Sequence, residues 1–378
     1  MKKILFAGLC CVLLALAACA SKDNTMPPSP LVSFTPTLQV GNLWSQSVGG
    51  GTDNSYLRMS PVVIGQVVYA ADYSGRVAAF DAASGRVLWR VQVAVPLTTS
   101  IAVDAGKLFI GTNEGGVIAL DQSNGQALWM TAVGNDVLAT PCAAKGRVIV
   151  KSIDGSVTAL SEADGRQLWH YAENMPPLIL HADSQPQVVG NFAVIGFADG
   201  KLVVLRANSG RVVWARQIAV SKGSTDIERM VDIDVNPIVK NGVVFAATYQ
   251  GKLAALNLRS GRLLWEHSIS SYAGIAADAH HLYLSDANSH VWAFDLQSGA
   301  VNWRQTQLAY RMITGPVVMG QYIAVADREG YLHWLSSRDG HMVARAGVSR
   351  AGVLGTPTVS GNRLFALTSE GGLFAFGI

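Results

Sequence analysis

The sequence predicts an all-β fold, an eight-bladed β-propeller of four-stranded antiparallel blades, on three observations. The first is an internal repeat. Gly, a spacer, Val or Leu, any residue, Ala, then Leu or Phe leads into a turn ending in Gly and on to Leu-Trp. Gly75-Arg76-Val77-Ala78-Ala79-Phe80 runs through Gly85 to Leu88-Trp89, and Gly116-Val117-Ile118-Ala119-Leu120 runs through Gly125 to Leu128-Trp129. Eight copies are anchored at Val77, Val117, Val157, Leu202, Leu253, Val291, Leu332 and Leu373, spaced 40, 40, 45, 51, 38, 41 and 41 residues apart. A period of about 40 residues with four short strands per copy is the mark of propeller blades. The second observation is composition. Only 15% of residues are charged, 49% are apolar and 38 of 378 are Gly; ordinary soluble domains are about 25% charged and about 7% Gly. This excludes intrinsic disorder and speaks against helix-rich folds. The third is length: 378 residues exceed the roughly 250–300 at which one hydrophobic core stops growing, so many small cores are required.

Each copy divides into four strands. In the first, Pro61 to Ile64 is strand A, Val67 to Ala71 is B, Arg76 to Asp81 is C and Arg86 to Val93 is D. Alternation marks B to D, and turn residues separate them. B–C turns carry Ser74-Gly75, Asp154-Gly155 and Asp199-Gly200, and C–D turns end in Ser84-Gly85, Asn124-Gly125 and Ser209-Gly210, where Gly accepts positive φ. The last copy, from Thr356 to Ile378, supplies A, B and C only, and Gly41-Asn42-Leu43-Trp44-Ser45 reads as a lone D strand. The N-terminal strand is therefore expected to complete the last blade and leave no open edge at the seam. The Trp series 44, 89, 129, 169, 214, 265 and 303 is expected to pack between blades; at the same place the seventh copy has Gly340-His341-Met342-Val343-Ala344, with no Trp.

The N-terminus reads as an export signal. Lys2-Lys3 precede an apolar run from Ile4 to Ala18, short for a membrane span and right for a signal. Leu16-Ala17-Ala18-Cys19 is similar to a bacterial lipobox, which implies lipidation of Cys19 and removal of residues 1–18. Residues 19–38, with Met26-Pro27-Pro28-Ser29-Pro30, are expected to form a flexible tether, and 39–378 the propeller. Cys142 then remains alone in the folded part, which excludes an intrachain disulfide. Net charge is +3 with no basic cluster, so no nucleic-acid partner is expected.

Two repeat spacings are long, and both excesses fall between strand D of one blade and strand A of the next. Such connectors emerge on one face, so these two should be neighbours. One carries Pro176-Pro177-Leu178-Ile179-Leu180-His181, an apolar loop suited to a partner. The other carries Asp232-Ile233-Asp234, whose carboxylates, if extended, project to one side. Together they are expected to form a mixed interface, apolar with charged specificity.

The Gly…Ala-Leu-Asp…Gly…Leu-Trp repeat resembles the PQQ-like propeller superfamily. The lipobox, tether and eight blades, with Gly223-Ser224-Thr225-Asp226-Ile227-Glu228-Arg229 and Glu329-Gly330-Tyr331-Leu332-His333-Trp334, resemble the lipoprotein family of the bacterial β-barrel assembly machinery. The resemblance implies a non-catalytic, monomeric scaffold, lipid-anchored at the periplasmic face of the outer membrane. It implies that Leu178, Leu180, His181, Asp232 and Asp234 contact a POTRA domain of BamA, the barrel-inserting subunit, with His181 standing where the family has Arg. Unfolded outer-membrane protein chains are the expected clients, met through exposed sheet edges. Quinoprotein dehydrogenases share the repeat, but they usually carry adjacent cysteines in the mature domain, and here Cys10-Cys11 lie in the signal. A PQQ-dependent dehydrogenase and a peptidoglycan- or sugar-binding propeller are thus the alternative readings. No catalytic residue, cofactor or metal site is expected: there is no phosphate loop, no His-Glu-x-x-His and no paired-Cys motif.

Overall fold

Three tight turns join four short β-runs in each of the first seven repeats, and so each of these closes on itself as a meander. In blade 1 of the computed structural model, which describes residues 26–53, 55–180 and 183–378, strand A is Val62–Ile64, B is Val67–Ala71, C is Arg76–Asp81 and D is Val87–Gln92, hydrogen-bonded in that order. The same antiparallel order recurs in all eight four-stranded sheets. Strands A of successive blades from 2 to 8 adjoin one another, and strand A of blade 8, Thr358–Ser360, adjoins that of blade 1. Strands B and C are covered on both faces: Val77, Ala78, Ala79 and Phe80 are fully buried. Strands buried on both faces have no room for charge, which accounts for the low charge content.

The ring closes as expected. Gly41–Ser47 pairs antiparallel with strand C of blade 8, Gly372–Gly377, from Gly41 opposite Gly377 to Ser47 opposite Gly372. It serves as that blade's strand D.

The Leu-Trp pair and the turn Gly are one device. In every strand D a β-bulge falls beside the Trp position, so that Ala79 faces Trp89 while Phe80 faces Val87, and Leu88 is the extra residue. A bulge re-aims side chains. The Leu is therefore exposed, as at Leu43, Leu88, Leu128, Leu168 and Leu264, and the Trp turns toward the next blade. There each ring lies on the Gly of the next C–D turn: Trp44 on Gly85, Trp89 on Gly125, Trp129 on Gly165, Trp169 on Gly210, Trp214 on Gly261, Trp265 on Gly299 and Trp303 on Gly340. Six of the indoles also donate Nε1–H to a carbonyl of that turn, such as Trp214 to Leu258 at 2.8 Å. Interblade packing is thus the role of the series. The exception has a topological cause. Blade 8 takes strand D from the other end of the chain and has no C–D turn, so a Trp at the strand-D position of blade 7 would meet no Gly. Ala344 stands there, and Leu38 and Val40 pack beside it.

One expectation changes. The sequence predicts a flexible tether over 19–38, whereas from Ser29 onward the chain is held. Ser29 donates N–H to the Ala309 carbonyl (3.0 Å), Thr37 and Leu38 both donate to the Val343 carbonyl, and Arg311 and Arg345 donate to the Ser29 and Val32 carbonyls. The Arg345 guanidinium lies 5.1 Å from the Phe34 ring centre. Phe34 gives this stretch an apolar anchor that a pure linker lacks. Residues 1–25, with the expected signal and Cys19, lie outside the described residues.

Candidate partner-binding site

The two long connectors follow strand D of blades 3 and 4, Gln167–Ala172 and Val212–Gln217, and span 173–186 and 218–237. The first is pinned at both ends. Glu173 donates N–H to the Gly155 carbonyl, and its carboxylate takes Lys201 Nζ and the Tyr171 hydroxyl, each at 2.7 Å. Met175 lies over Gly155, where an added Cβ would stand 2.7 Å from its Cγ. Pro176 and Pro177 then fix φ at two successive residues, and the chain bends at Pro177 and Leu178. At the far end Ser184 Oγ donates to the Val235 carbonyl (3.0 Å) and Gln185 N–H to Asn236 Oδ1 (2.7 Å).

The second connector begins with an exposed turn. Thr225 Oγ1 accepts from Glu228 N–H, and Glu228 Oε2 accepts from the amides of Ser224 and Thr225, a reciprocal cap over one turn. Val220 and Ile227 are largely exposed beside it. The chain then dives inward, and Val231 to Val235 are all buried. Ile233 donates N–H to the Phe197 carbonyl (3.1 Å) and approaches Gly196 so closely that a Cβ there would lie 2.3 Å from its Cγ2.

The connectors are neighbours, as expected, and their link is specific. Leu180 N–H donates to Asp232 Oδ1 at 2.7 Å. Leu178 is 40% exposed and Leu180 half-buried, so the apolar loop presents Leu178 outward while Asp232 fixes its backbone. The acidic pair differs from expectation. Asp232 and Asp234 do not face solvent: their exposures are 0% and 3%. With Ile233 anchored in the core between them, Asp232 reaches the first connector, and Asp234 approaches Arg58, Oδ2 to Nη2 at 3.4 Å. Their charge therefore organises the loops from beneath. His181 lies outside the described residues.

Burial sets the local electrostatics. It pushes the Asp232 carboxyl up to about 6, against the Leu180 N–H and the Lys151 ammonium. Asp234 is also pushed up, by burial and by the Asp183 charge, with Arg58 and Lys151 opposing. Lys151 donates Nζ–H to the Gly196 carbonyl at 3.0 Å, and burial pulls its pKa down. The cluster thus balances three carboxylates with two cations, and a buried charge needs such partners. Among the described residues no group of three or more His, Cys, Asp or Glu is arranged to hold a metal ion.

The neighbouring axial cavity, about 450 Å³, is lined by one stretch from every blade, among them Arg58, Ser100, Thr140, Asp183, Asp234 and Thr358. Cys142 lines it too, half-buried, where the sequence pattern suggests a core position. Arg58 was missed by sequence reasoning. Its signal was present: Trp44 and Trp89 are 45 residues apart, whereas Trp89, Trp129 and Trp169 follow at intervals of 40. The connector joining the closing strand to blade 1 is therefore a third long one.

Comparison with known proteins bears on the same chain. Residues 73–305 and 306–378 match the family model described as outer membrane protein assembly factor BamB. The chain belongs to the BamB family. A BamB of Legionella pneumophila is 46% identical over 351 residues, covering 93% of this chain and 91% of that protein. A BamB of Escherichia coli is 36% identical over 392 residues, covering 99% of each. The crystal structure of BamB from Moraxella catarrhalis superposes with a TM-score of 0.83 at 27% identity, covering 90% of this chain and all of that one. The likeness to BamB thus runs through all eight blades and both long connectors.

Proposed function

We propose that the protein is a non-catalytic scaffold of the β-barrel assembly machinery, lipid-anchored through Cys19 at the periplasmic face of the outer membrane, where it binds the POTRA region of BamA and aids folding and insertion of outer-membrane β-barrels. Family membership supports the assembly role. The observation that carries the binding reading is the 2.7 Å hydrogen bond from Leu180 N–H to Asp232. It holds an exposed Leu178 on a loop braced at both ends, and a rigid apolar anchor loses little entropy on binding. In this reading Leu178, Leu180 and His181 form the contact, and Asp232 and Asp234 act by holding it. The test is co-purification with BamA from solubilised membranes. Leu178→Glu should abolish it with melting unchanged, and Asp232→Ala/Asp234→Ala should abolish it through loss of loop geometry. Retained co-purification in Leu178→Glu would move the interface elsewhere.

A second activity, contact with unfolded barrel clients, is favoured by the outer rim. Each strand D is a sheet edge with exposed apolar side chains such as Leu128, Met130 and Val212. The bulge blocks regular pairing beside each Trp, so a client strand would add beyond it. Photo-crosslinkers at Met130 should capture nascent barrels, and an absence of adducts there with BamA bound would count against this.

A further inference from the structure

Three D–A connectors are longer than the rest in their half of the ring: 48–61, 173–186 and 218–237, against nine residues at 93–101 and 133–141. All three meet at one side chain beside the axis. Arg58, from the first, donates Nε–H to Asp183 Oδ2 and Nη2–H to Asp183 Oδ1, both at 2.6 Å, and reaches Asp234 Oδ2 at 3.4 Å. Its Nη1 donates to the Tyr272 carbonyl in the connector to blade 6. One guanidinium from the connector to blade 1 thus ties the connectors to blades 4, 5 and 6 beside the cavity. A planar fork on a carboxylate fixes orientation as well as distance. The side chains of Arg58 and Asp183 are 16% and 17% exposed and that of Asp234 is fully buried, so bulk water screens this tie little.

We propose that Arg58 is a positioning residue for the partner loop, clasping the far end of the segment that carries Leu178 and Leu180. The inference rests on the binding reading above. Asp183 lies three residues beyond Leu180, so holding it fixes one end of the loop, while Asp232 fixes the middle. Asp234, two residues beyond Asp232, takes the same guanidinium. Both anchors of the apolar loop therefore trace back to one residue that lies outside that loop. The blades do not need this tie, since the ring is shut by the Gly41–Ser47 pairing and the Trp contacts, and the connectors belong to no sheet.

The experiment measures affinity of the full-length protein in detergent for the BamA POTRA region, with amide exchange at 176–185 and melting temperature. The variants are Arg58→Gln, Arg58→Lys, the swap Arg58→Asp/Asp183→Arg, and Leu178→Ala/Leu180→Ala. Arg58→Gln should weaken binding about tenfold or more through lost preorganisation, speed exchange at 176–185 and leave melting nearly unchanged. Lys should not restore affinity, because a point charge cannot grip both oxygens; the swap should. Wild-type affinity in Arg58→Gln beside lost affinity in the Leu variant overturns the clasp and leaves the binding reading standing. Wild-type affinity in both overturns the binding reading, and exchange then judges the clasp: unchanged protection at 176–185 overturns it, lost protection supports it. If Arg58→Gln does not fold, the swap decides: wild-type affinity supports the clasp, and a folded swap that does not bind overturns it.

Discussion

The ring of Trp44 lies flat on Gly85, with its Nε1 3.2 Å from the Ala82 carbonyl, across the junction where the N-terminal strand meets blade 1. Gly85 sits at φ 71°, and a Cβ there would stand 2.6 Å from the indole. Both halves of the contact are thus fixed by geometry. Trp44→Ala should destabilise the propeller by about 3–5 kcal/mol. Gly85→Ala, meeting both the ring and an unfavourable φ, should cost more than about 1 kcal/mol. Deleting residues 39–47 should be worse than either, because it strips the last blade of an entire strand. Urea unfolding followed by circular dichroism checks all three; unchanged unfolding in the deletion would refute closure by the N-terminal strand.

The fold was legible because its cause is periodic. A Trp that must meet a Gly one blade later leaves both residues in the sequence at fixed separation, and even the missing Trp near Ala344 marks the blade next to the seam. The site was legible in part. Loop length showed where 173–186 and 218–237 lie and that they adjoin. It did not show that Asp232 and Asp234 point inward, because alternation says which residues share a side and not which side the core takes. Arg58 was harder still: its partners Asp183 and Asp234 lie 125 and 176 residues away, a distance no local pattern spans.

Asp232 gives the cluster a measurable pH signature. Burial holds its carboxyl at about 6, above the unfolded value near 3.9. A raised carboxyl pKa means that the folded state binds more protons between those two values. Stability from this site therefore rises as pH falls through 6 toward 4, and the full penalty is present above 6. Asp232→Asn keeps an acceptor for Leu180 N–H and removes the buried charge. At pH 8 it should match or exceed the wild type by about 1–3 kcal/mol, and the difference should vanish near pH 4. A difference independent of pH would refute this assignment.

His333 should slope the other way. It is fully buried, with Nε2 2.9 Å from Asp327 Oδ2 and with Nδ1 facing Arg345 Nε at 3.3 Å. Arg311 holds the same Asp327 oxygen at 2.7 Å. Burial pulls the imidazole pKa down, although Asp327 pulls it up. A lowered pKa means that the unfolded chain takes the proton first, so stability from this site is whole above about 6.5 and is lost as pH falls below it, by at most about 1.4 kcal/mol per pH unit. His333→Gln can still donate to Asp327 but cannot titrate. Its acid limb, measured by urea unfolding between pH 8 and 5, should be flatter than that of the wild type; parallel curves would show that His333 does not titrate in this range.

The docked N-terminal stretch offers a test that separates leash from wall. Phe34 is half-buried against the core shared by blades 6 and 7 and lies beneath the Arg345 guanidinium. Ser29 and Val32 add backbone bonds to the same wall. No part of this contact is an ion pair, since the Arg bonds end on neutral carbonyls, so salt alone should not release the segment, and the apolar burial of Phe34 is the part a substitution can remove. Phe34→Ala should therefore release 26–36 while the strand Gly41–Ser47 stays paired, since that strand has its own ladder to blade 8. The expected loss in global stability is small, roughly 1–2 kcal/mol for a half-buried ring. Amide exchange should report the release directly. The Ser29 amide, bonded to Ala309 in the native chain, should exchange near its unprotected rate in Phe34→Ala, and the amides of 44–47 should not change. Retained protection at Ser29 would mean that the carbonyl bonds alone hold the segment.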